Sequence, residues 1–201
     1  MTFWGIEEEL RAEGFVAVCG VDEAGRGPLA GSVFAAAVIL PFGVDIPHLG
    51  DSKKVPEKMR DELFEVIQDL AVSFSVASAD VSEIEELNIL GATFLAMNRA
   101  IEQLNPPADI ALIDGNQIKG ITFNCRAVVG GDGKSASIAA ASILAKVSRD
   151  RYMLEMAERF PRYEFHKHKG YGTKLHYERL REFGPSEIHR PSFLKKFRLD
   201  N

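Results

Sequence analysis

Apolar and polar positions along the chain switch between two periods, and each switch marks an element. Residues 15–21 are almost continuously apolar, as in a strand covered on both faces, and the run ends at Asp22-Glu23 ahead of Gly25, Gly27 and Pro28. A second apolar run at 31–40 follows so closely that strands 15–22 and 31–40 are predicted to form an antiparallel hairpin. Pro41-Phe42-Gly43 ends it, and a Gly/Pro/Asp-rich loop leads through Asp51-Ser52-Lys53-Lys54 to Pro56. Pro56 opens an amphipathic helix expected to turn Leu63, Ile67 and Leu70 inward.

Residues 71–79 alternate with period two and predict a third strand. Ser82 and Glu85 have the spacing of a capping box for a helix running through Met97 towards Leu104, where Asn105-Pro106-Pro107 stops it. A short buried strand at 110–113 ends in Asp114-Gly115-Asn116, and another at about 121–129 ends in Gly130-Gly131-Asp132-Gly133. An Ala/Ser-rich helix at 136–159 comes next, small enough in its side chains to sit close against a sheet. The rest is loopier, with one helix near 174–183. Strands first, then strands alternating with helices, predict a mixed α/β sheet.

Composition narrows the class. The 201 residues, 46% apolar and 26% charged, suit one globular domain at 15–201 with a short N-terminal extension at 1–14. No run of eighteen apolar residues suggests a membrane span, and the acidic N-terminus is unlike a signal peptide, so a cytoplasmic protein is expected. Cys19 and Cys125 sit in apolar strand segments, as reduced thiols do. Nothing in the chain demands more than a monomer.

Charge is uneven in a way the net value of −5 conceals. Residues 161–201 hold ten Lys/Arg against five Asp/Glu and four of the five histidines; the first 160 hold fourteen against 24. An acidic body with a basic tail of helical character, about 160–201, fits a carboxylate metal site beside a phosphate-binding surface, although solvated helix faces would give the same count.

The chemistry lies at strand ends. Asp22-Glu23, Asp114 and Asp132 each follow an apolar strand and neighbour glycine, and in open α/β sheets such ends converge where the strand order switches. Adjacent strand residues face opposite ways, so Asp22 and Glu23 can share a site only if the strand ends or bulges there. Four converging carboxylates repel one another, which divalent cations relieve; an all-oxygen set favours Mg²⁺ or Mn²⁺, and two such ions roughly 4 Å apart serve phosphodiester cleavage. Taken singly, each acid reads better as a solvated turn residue or helix cap; three strand ends and an Asp-Glu pair together reverse that. Gly25 and Gly27 open the backbone to a ligand, with Arg26 available for a phosphate. Gly133-Lys134-Ser135 imitates the end of a P-loop, but Val128 stands where that motif needs glycine.

Asp22-Glu23-Ala24-Gly25-Arg26-Gly27-Pro28-Leu29-Ala30-Gly31, Asp51-Ser52-Lys53, Leu112-Ile113-Asp114-Gly115-Asn116, Gly131-Asp132, Ala139 to Val147 and His168-Lys169-Gly170-Tyr171 together resemble bacterial ribonuclease HII, in order and over about 15–193. The resemblance implies a ribonuclease H-like fold: a five-stranded mixed sheet flanked by helices, with a small helical C-terminal part. It also implies cleavage on the 5′ side of ribonucleotides embedded in duplex DNA and of the RNA strand in RNA–DNA hybrids, leaving 3′-hydroxyl and 5′-phosphate ends. By motif, Asp22, Glu23, Asp114 and Asp132 would be the catalytic, metal-binding acids for a two-ion Mn²⁺ or Mg²⁺ site. Gly25, Arg26 and Gly27 would read the 2′-hydroxyl, and Tyr171 would stack on the neighbouring sugar.

Ser52 and Lys53 would contact phosphate, or else cap a helix. His166 and His168 have zinc-ligand spacing but no partners, so phosphate contacts or surface positions fit them better. Lys146 would snorkel from its helix to the surface. Where relatives often carry a basic residue ahead of the Gly-Asp of the fourth acid, this chain has Gly130. The Gly25-Arg26-Gly27 turn separates it from the related ribonuclease HIII. Two rivals remain: a nuclease of the same fold acting on plain or branched DNA, and a hybrid-binding module without catalysis.

Overall fold

The computed structural model describes residues 3–50, 52 and 55–195. Five strands make one sheet: β1 (Val18–Ala24), β2 (Val33–Ile39), β3 (Ser73–Ala79), β4 (Ile110–Asp114) and β5 (Cys125–Val128), in the order β3-β2-β1-β4-β5. β1, β2 and β3 pair antiparallel, whereas β4 runs parallel to both β1 and β5. The mixed sheet expected from the sequence is therefore present. Central β1 places its carboxyl end beside that of β4, with Val21 opposite Ile113.

The hairpin is real, but the first strand neither stops nor bulges at its acids. β1 continues through Ala24 in unbroken register, Asp22 opposite Ala36 and Glu23 opposite Ala35. The antiparallel partner stays in register to Ala24, which holds both carboxylates on regular backbone.

Two helices cover the faces. α3 (Val81–Glu102) lays Ala92, Ala96, Met97 and Ala100 against Cys19, Val21, Ala35 and Ala37 on one side. α4 (Ala136–Arg159) covers the other with a nearly unbroken row of buried Ala, Ser, Ile and Leu, and α2 (Glu57–Leu70) packs outside it. The closeness of α4 depends on Gly20, where a Cβ would lie 2.0 Å from the Ser137 carbonyl carbon. Leu63 and Ile67 of α2 are buried as expected, but Leu70 is exposed because the helix ends there at the rim.

The capping box of α3 is Asp80 with Glu83, two residues earlier than the Ser82/Glu85 pair. Asp80 wins because its carboxylate accepts from the Glu83 amide at 2.9 Å while Glu83 answers to the Asp80 amide. α3 also breaks at Asn88 (φ 59°, ψ 170°), whose Oδ1 caps the amides of Leu90 and Gly91. The last strand is shorter than the predicted 121–129, since only Cys125–Val128 has β4 to pair with.

The N-terminal residues join the same core. α1 (Gly5–Ala12) buries Leu10 against Val18, Leu112 and Ile138, and Glu7 accepts from the Ser135 hydroxyl at 2.6 Å and the Ser137 amide at 3.2 Å. That places a carboxylate at the N-terminus of α4, where the helix dipole favours it. The C-terminal part carries α5 (Phe165–His168), α6 (Lys174–Phe183) and α7 (Pro191–Leu194). No helix among the described residues is long and apolar enough to cross a membrane.

Candidate active site

Asp22 is the buried member of the acids, 6% exposed, in a cleft of about 230 Å³ shared with Glu23, Gly25, Arg26, Ser142 and Tyr171. Burial raises its carboxyl well above the ordinary carboxylate range, and the nearby charges of Glu23 and Asp114 raise it further, against a hydrogen bond from Ser142. Its Oδ1 also accepts from the Glu23 amide at 2.7 Å. Glu23 and Arg26 line a second, smaller hollow together with Asp114 and Asn116, so the half-buried Glu23 stands between two compartments of one cleft.

The parallel pairing of β1 and β4 brings Asp22, Glu23 and Asp114 within electrostatic reach of one another. Asp132 lines neither compartment; its neighbour Gly131, in the short 3-10 turn after β5, donates its amide to Asp114 Oδ1 at 2.7 Å, which brings the turn but not the Asp132 carboxylate to the other acids. Among the described residues no three His, Cys, Asp or Glu side chains are gathered tightly enough to chelate an ion. The donor set nonetheless suits one. Three crowded carboxylates, one of them with its charge disfavoured, form an all-oxygen site whose repulsion a hard divalent cation would remove.

The glycine-rich turn beyond Ala24 is not uniform. Gly25 has φ +99°, and a Cβ there would lie 2.1 Å from Arg149 Nε, whereas nothing stands within 4 Å of a Cβ at Gly27. Of the two glycines that flank Arg26, only Gly25 is sterically obliged. The half-exposed Arg26 guanidinium reaches Glu23 Oε1 at 3.3 Å and remains open to solvent on its other side. Tyr171 is 42% exposed, with the Arg149 guanidinium centred 5.6 Å from its ring. A half-open aromatic held from beneath by a cation presents a free face for stacking.

Other expected positions resolve differently. Ser52 is buried and meets the Ser142 hydroxyl at 2.8 Å, so it braces the partner of Asp22 and caps no helix. Lys53 lies outside the described residues. Lys146 does not snorkel outward: its Nζ is 2.6 Å from Asp150 Oδ1 and it lines the Asp22 cleft. His166 is exposed, but His168 is buried, bonded through Nε2 to the Tyr163 carbonyl at 2.9 Å and accepting from the Gly170 amide at 3.2 Å. It is a structural residue and meets no surface phosphate. Cys19 is buried, which pushes its thiol up to about 12, and Cys125 is half-buried; both are free.

Sequence reasoning missed Ser142 and Arg149. Their signal was available, because Ser142, Lys146 and Arg149 recur at helical spacing, i, i+4 and i+7, on one face of α4.

The family profile of ribonuclease HII matches residues 19–196. The chain is 56% identical to ribonuclease HII of Caldicellulosiruptor bescii over 193 residues, 96% of this chain and 94% of that one. The chain belongs to the ribonuclease HII family. Ribonuclease HII of Burkholderia lata is likewise 56% identical, over 88% of this chain and 82% of its own. Among solved structures, ribonuclease H2 from Pyrococcus horikoshii OT3 shares the fold, with TM-score 0.72 and 23% identity over 88% of this chain and 93% of that one. Bst-RNase HIII solved in complex with Mn²⁺ shares it with TM-score 0.64 and 18% identity, over 84% of this chain and 63% of that one. Membership makes this protein an endonuclease of the ribonuclease H type, and the ribonuclease H-like fold read from the motifs is the fold observed. Nucleases of the family act on RNA–DNA hybrids and are metal-dependent.

Proposed function

We propose that this protein cuts on the 5′ side of ribonucleotides embedded in duplex DNA, and the RNA strand of RNA–DNA hybrids, leaving 3′-hydroxyl and 5′-phosphate ends. One observation carries the reading. The buried, charge-crowded Asp22 opens into the same cleft as the Gly25–Gly27 turn and the exposed Tyr171. Chemistry and recognition of a 2′-hydroxyl would thus lie three residues apart, at Asp22 and Gly25.

Asp22, Glu23, Asp114 and Asp132 would hold two divalent ions, Mn²⁺ or Mg²⁺; when bound, these supply an activated water and charge stabilisation for the leaving oxygen. The Mn²⁺ complex of the structural relative supports that choice of cation. The chain's own residues do the rest. Ser142, braced by Ser52, orients the Asp22 carboxyl. Backbone groups around Gly25 approach the 2′-hydroxyl, the group that separates RNA from DNA. Arg26 pairs with a phosphate oxygen in place of its long contact to Glu23, and Tyr171 stacks on the sugar that follows the ribonucleotide.

The test is direct. Duplex DNA bearing one ribonucleotide and its all-DNA counterpart are incubated with pure protein in Mn²⁺ and in Mg²⁺. Cleavage confined to the 5′ side of the ribonucleotide is expected; equal cutting of the all-DNA duplex, or binding without turnover in either metal, would overturn the reading.

A further inference from the structure

Two loops meet the substrate side of the cleft from opposite ends of the chain, and a single dipeptide near the C-terminus fastens both. Residues 29–31 form a seam. Leu29 donates its amide to the Gly170 carbonyl and accepts from the Arg190 amide, while Gly31 donates to the Ile188 carbonyl, each at 2.8 Å. Across that seam the Arg190 side chain, fully buried, reaches under the turn.

Its five N–H donors are all engaged. Nη2 donates to the carbonyls of Gly25 (2.7 Å) and Gly31 (2.6 Å), Nη1 to those of Arg26 (3.0 Å) and Pro28 (2.9 Å), and Nε to Gly31 (2.9 Å). A planar fork of five donors matched to four main-chain acceptors fixes the path of the whole turn. Lysine, with three donors on a point charge, cannot reproduce it.

His189, the preceding residue, ties the other loop. The Ser186 amide donates to His189 Nδ1 at 2.9 Å, which leaves the His189 proton on Nε2. That proton goes to His176 Nε2 at 3.0 Å, and the His176 proton, on Nδ1, goes to the Tyr171 carbonyl at 3.0 Å. His168 stacks on His176 with ring centres 4.3 Å apart and completes a buried imidazole group. The relay has one consistent direction only while the rings are neutral. Burial holds both His176 and His189 down at about 4.

We propose that Arg190 and the His189–His176 relay are positioning residues for ribonucleotide selection, holding the Gly25–Gly27 turn and Tyr171 in register from a shared anchor. The inference rests on the proposed reading of those two loops as the recognition elements. Neither Arg190 nor the histidines touch the nucleic acid; they act through the backbone of residues that do. Without the anchor, the turn and the aromatic would be tied more loosely, through the Leu29–Gly170 bond of the seam, and alignment of the scissile phosphate is sensitive to shifts of about 1 Å, each worth roughly 100-fold in rate.

The experiment uses the full chain with Arg190→Lys and, separately, His176→Phe. Amide hydrogen exchange is followed at residues 25–31, at 170–173 and in the sheet, alongside kcat and KM on the single-ribonucleotide duplex. Arg190→Lys is expected to accelerate exchange at 25–31 while sheet amides keep their protection, and to lower kcat about 100-fold with KM within about threefold. Unchanged exchange at 25–31, or faster exchange with an unchanged kcat, overturns the proposal.

If Arg190→Lys also loses sheet protection, His176→Phe decides, because it leaves all five Arg190 bonds in place. Faster exchange at 170–173 alone with a lower kcat supports the relay; protected exchange there overturns it. A wild-type protein that fails to cut the ribonucleotide duplex would sink the proposed function, and the exchange data would still decide whether the anchor exists.

Discussion

The acids and the loops of this cleft are held by opposite means. Asp22 and Asp114 stand on paired strands with a hydrophobic layer on each face, so their separation follows from β1 lying beside β4. The turn at 25–31 instead hangs from Arg190, far away in sequence, and the Tyr171 loop from His176, which His189 backs. The sheet delivers charge and crowds it; the anchor delivers shape. A catalytic carboxylate cluster must be rigid and strained electrostatically, whereas a recognition surface must be correctly placed and still able to receive a duplex.

The largest effect is expected at the acid end. Asp22→Asn should lower cleavage by about 10³-fold or more, since groups acting as a unit fail together. It should also raise the melting temperature. A carboxyl whose folded value lies above its unfolded one loses stability as pH rises, so the neutral amide removes an unfavourable charge at pH 7. Mn²⁺ should raise the melting point of wild type through mass action and leave Asp22→Asn nearly unmoved. An Asp22→Asn protein less stable than wild type would show that the carboxylate cluster is structural.

Gly25→Ala tests the loop side with one methyl group. The added Cβ would meet Arg149 Nε at 2.1 Å on a backbone at φ +99°. Cleavage at a single ribonucleotide should fall roughly 100-fold through misplacement of the turn, with metal-dependent melting shifts retained. Gly27→Ala, with open space around its Cβ, should cost far less. Equal losses at the two glycines would erase the distinction between a built turn and a merely flexible one.

The two ends should also separate on a pH axis. His176 and His189 are held at about 4, below the ordinary 6.5, so the unfolded chain binds more protons between those values. Their stabilisation is present in full above pH 6.5 and is lost as pH falls towards 4, on the order of 3 kcal/mol for each ring across the window. Asp22 has the opposite sign and favours the fold as pH falls. Melting curves of Asp22→Asn should therefore drop more steeply with acid than those of wild type, while His176→Phe should flatten the slope.

This contrast explains what could be read from sequence. The strands, the long helices and the place of Asp114 at the end of β4 follow from local periodicity, and the glycine turn from composition. Continuation of β1 through Glu23 was not legible, because it depends on the partner strand extending equally far. Nor was Arg190: nothing local to His189-Arg190-Pro191 reveals that its guanidinium lies under carbonyls some 160 positions earlier. The capping residue of α3 was missed by two positions because aspartate and serine are interchangeable in that role until geometry chooses.

The smallest expected effect asks whether Arg190 acts alone or the whole tail does. Beyond it, Glu85 of α3 accepts from the Ser192 amide at 3.0 Å and hydroxyl at 2.7 Å, an exposed tether at the start of α7. Glu85→Gln keeps the shape and one acceptor but loses the charge. An exposed charged contact of this kind is worth about 0.5–1 kcal/mol, or about 2 °C of melting temperature in a chain of this size. Ribonucleotide cleavage should change less than about threefold, because the five Arg190 bonds and the seam at 29–31 remain. A Glu85→Gln loss as deep as that of Arg190→Lys would move the anchor from one guanidinium to the docking of the entire C-terminal segment.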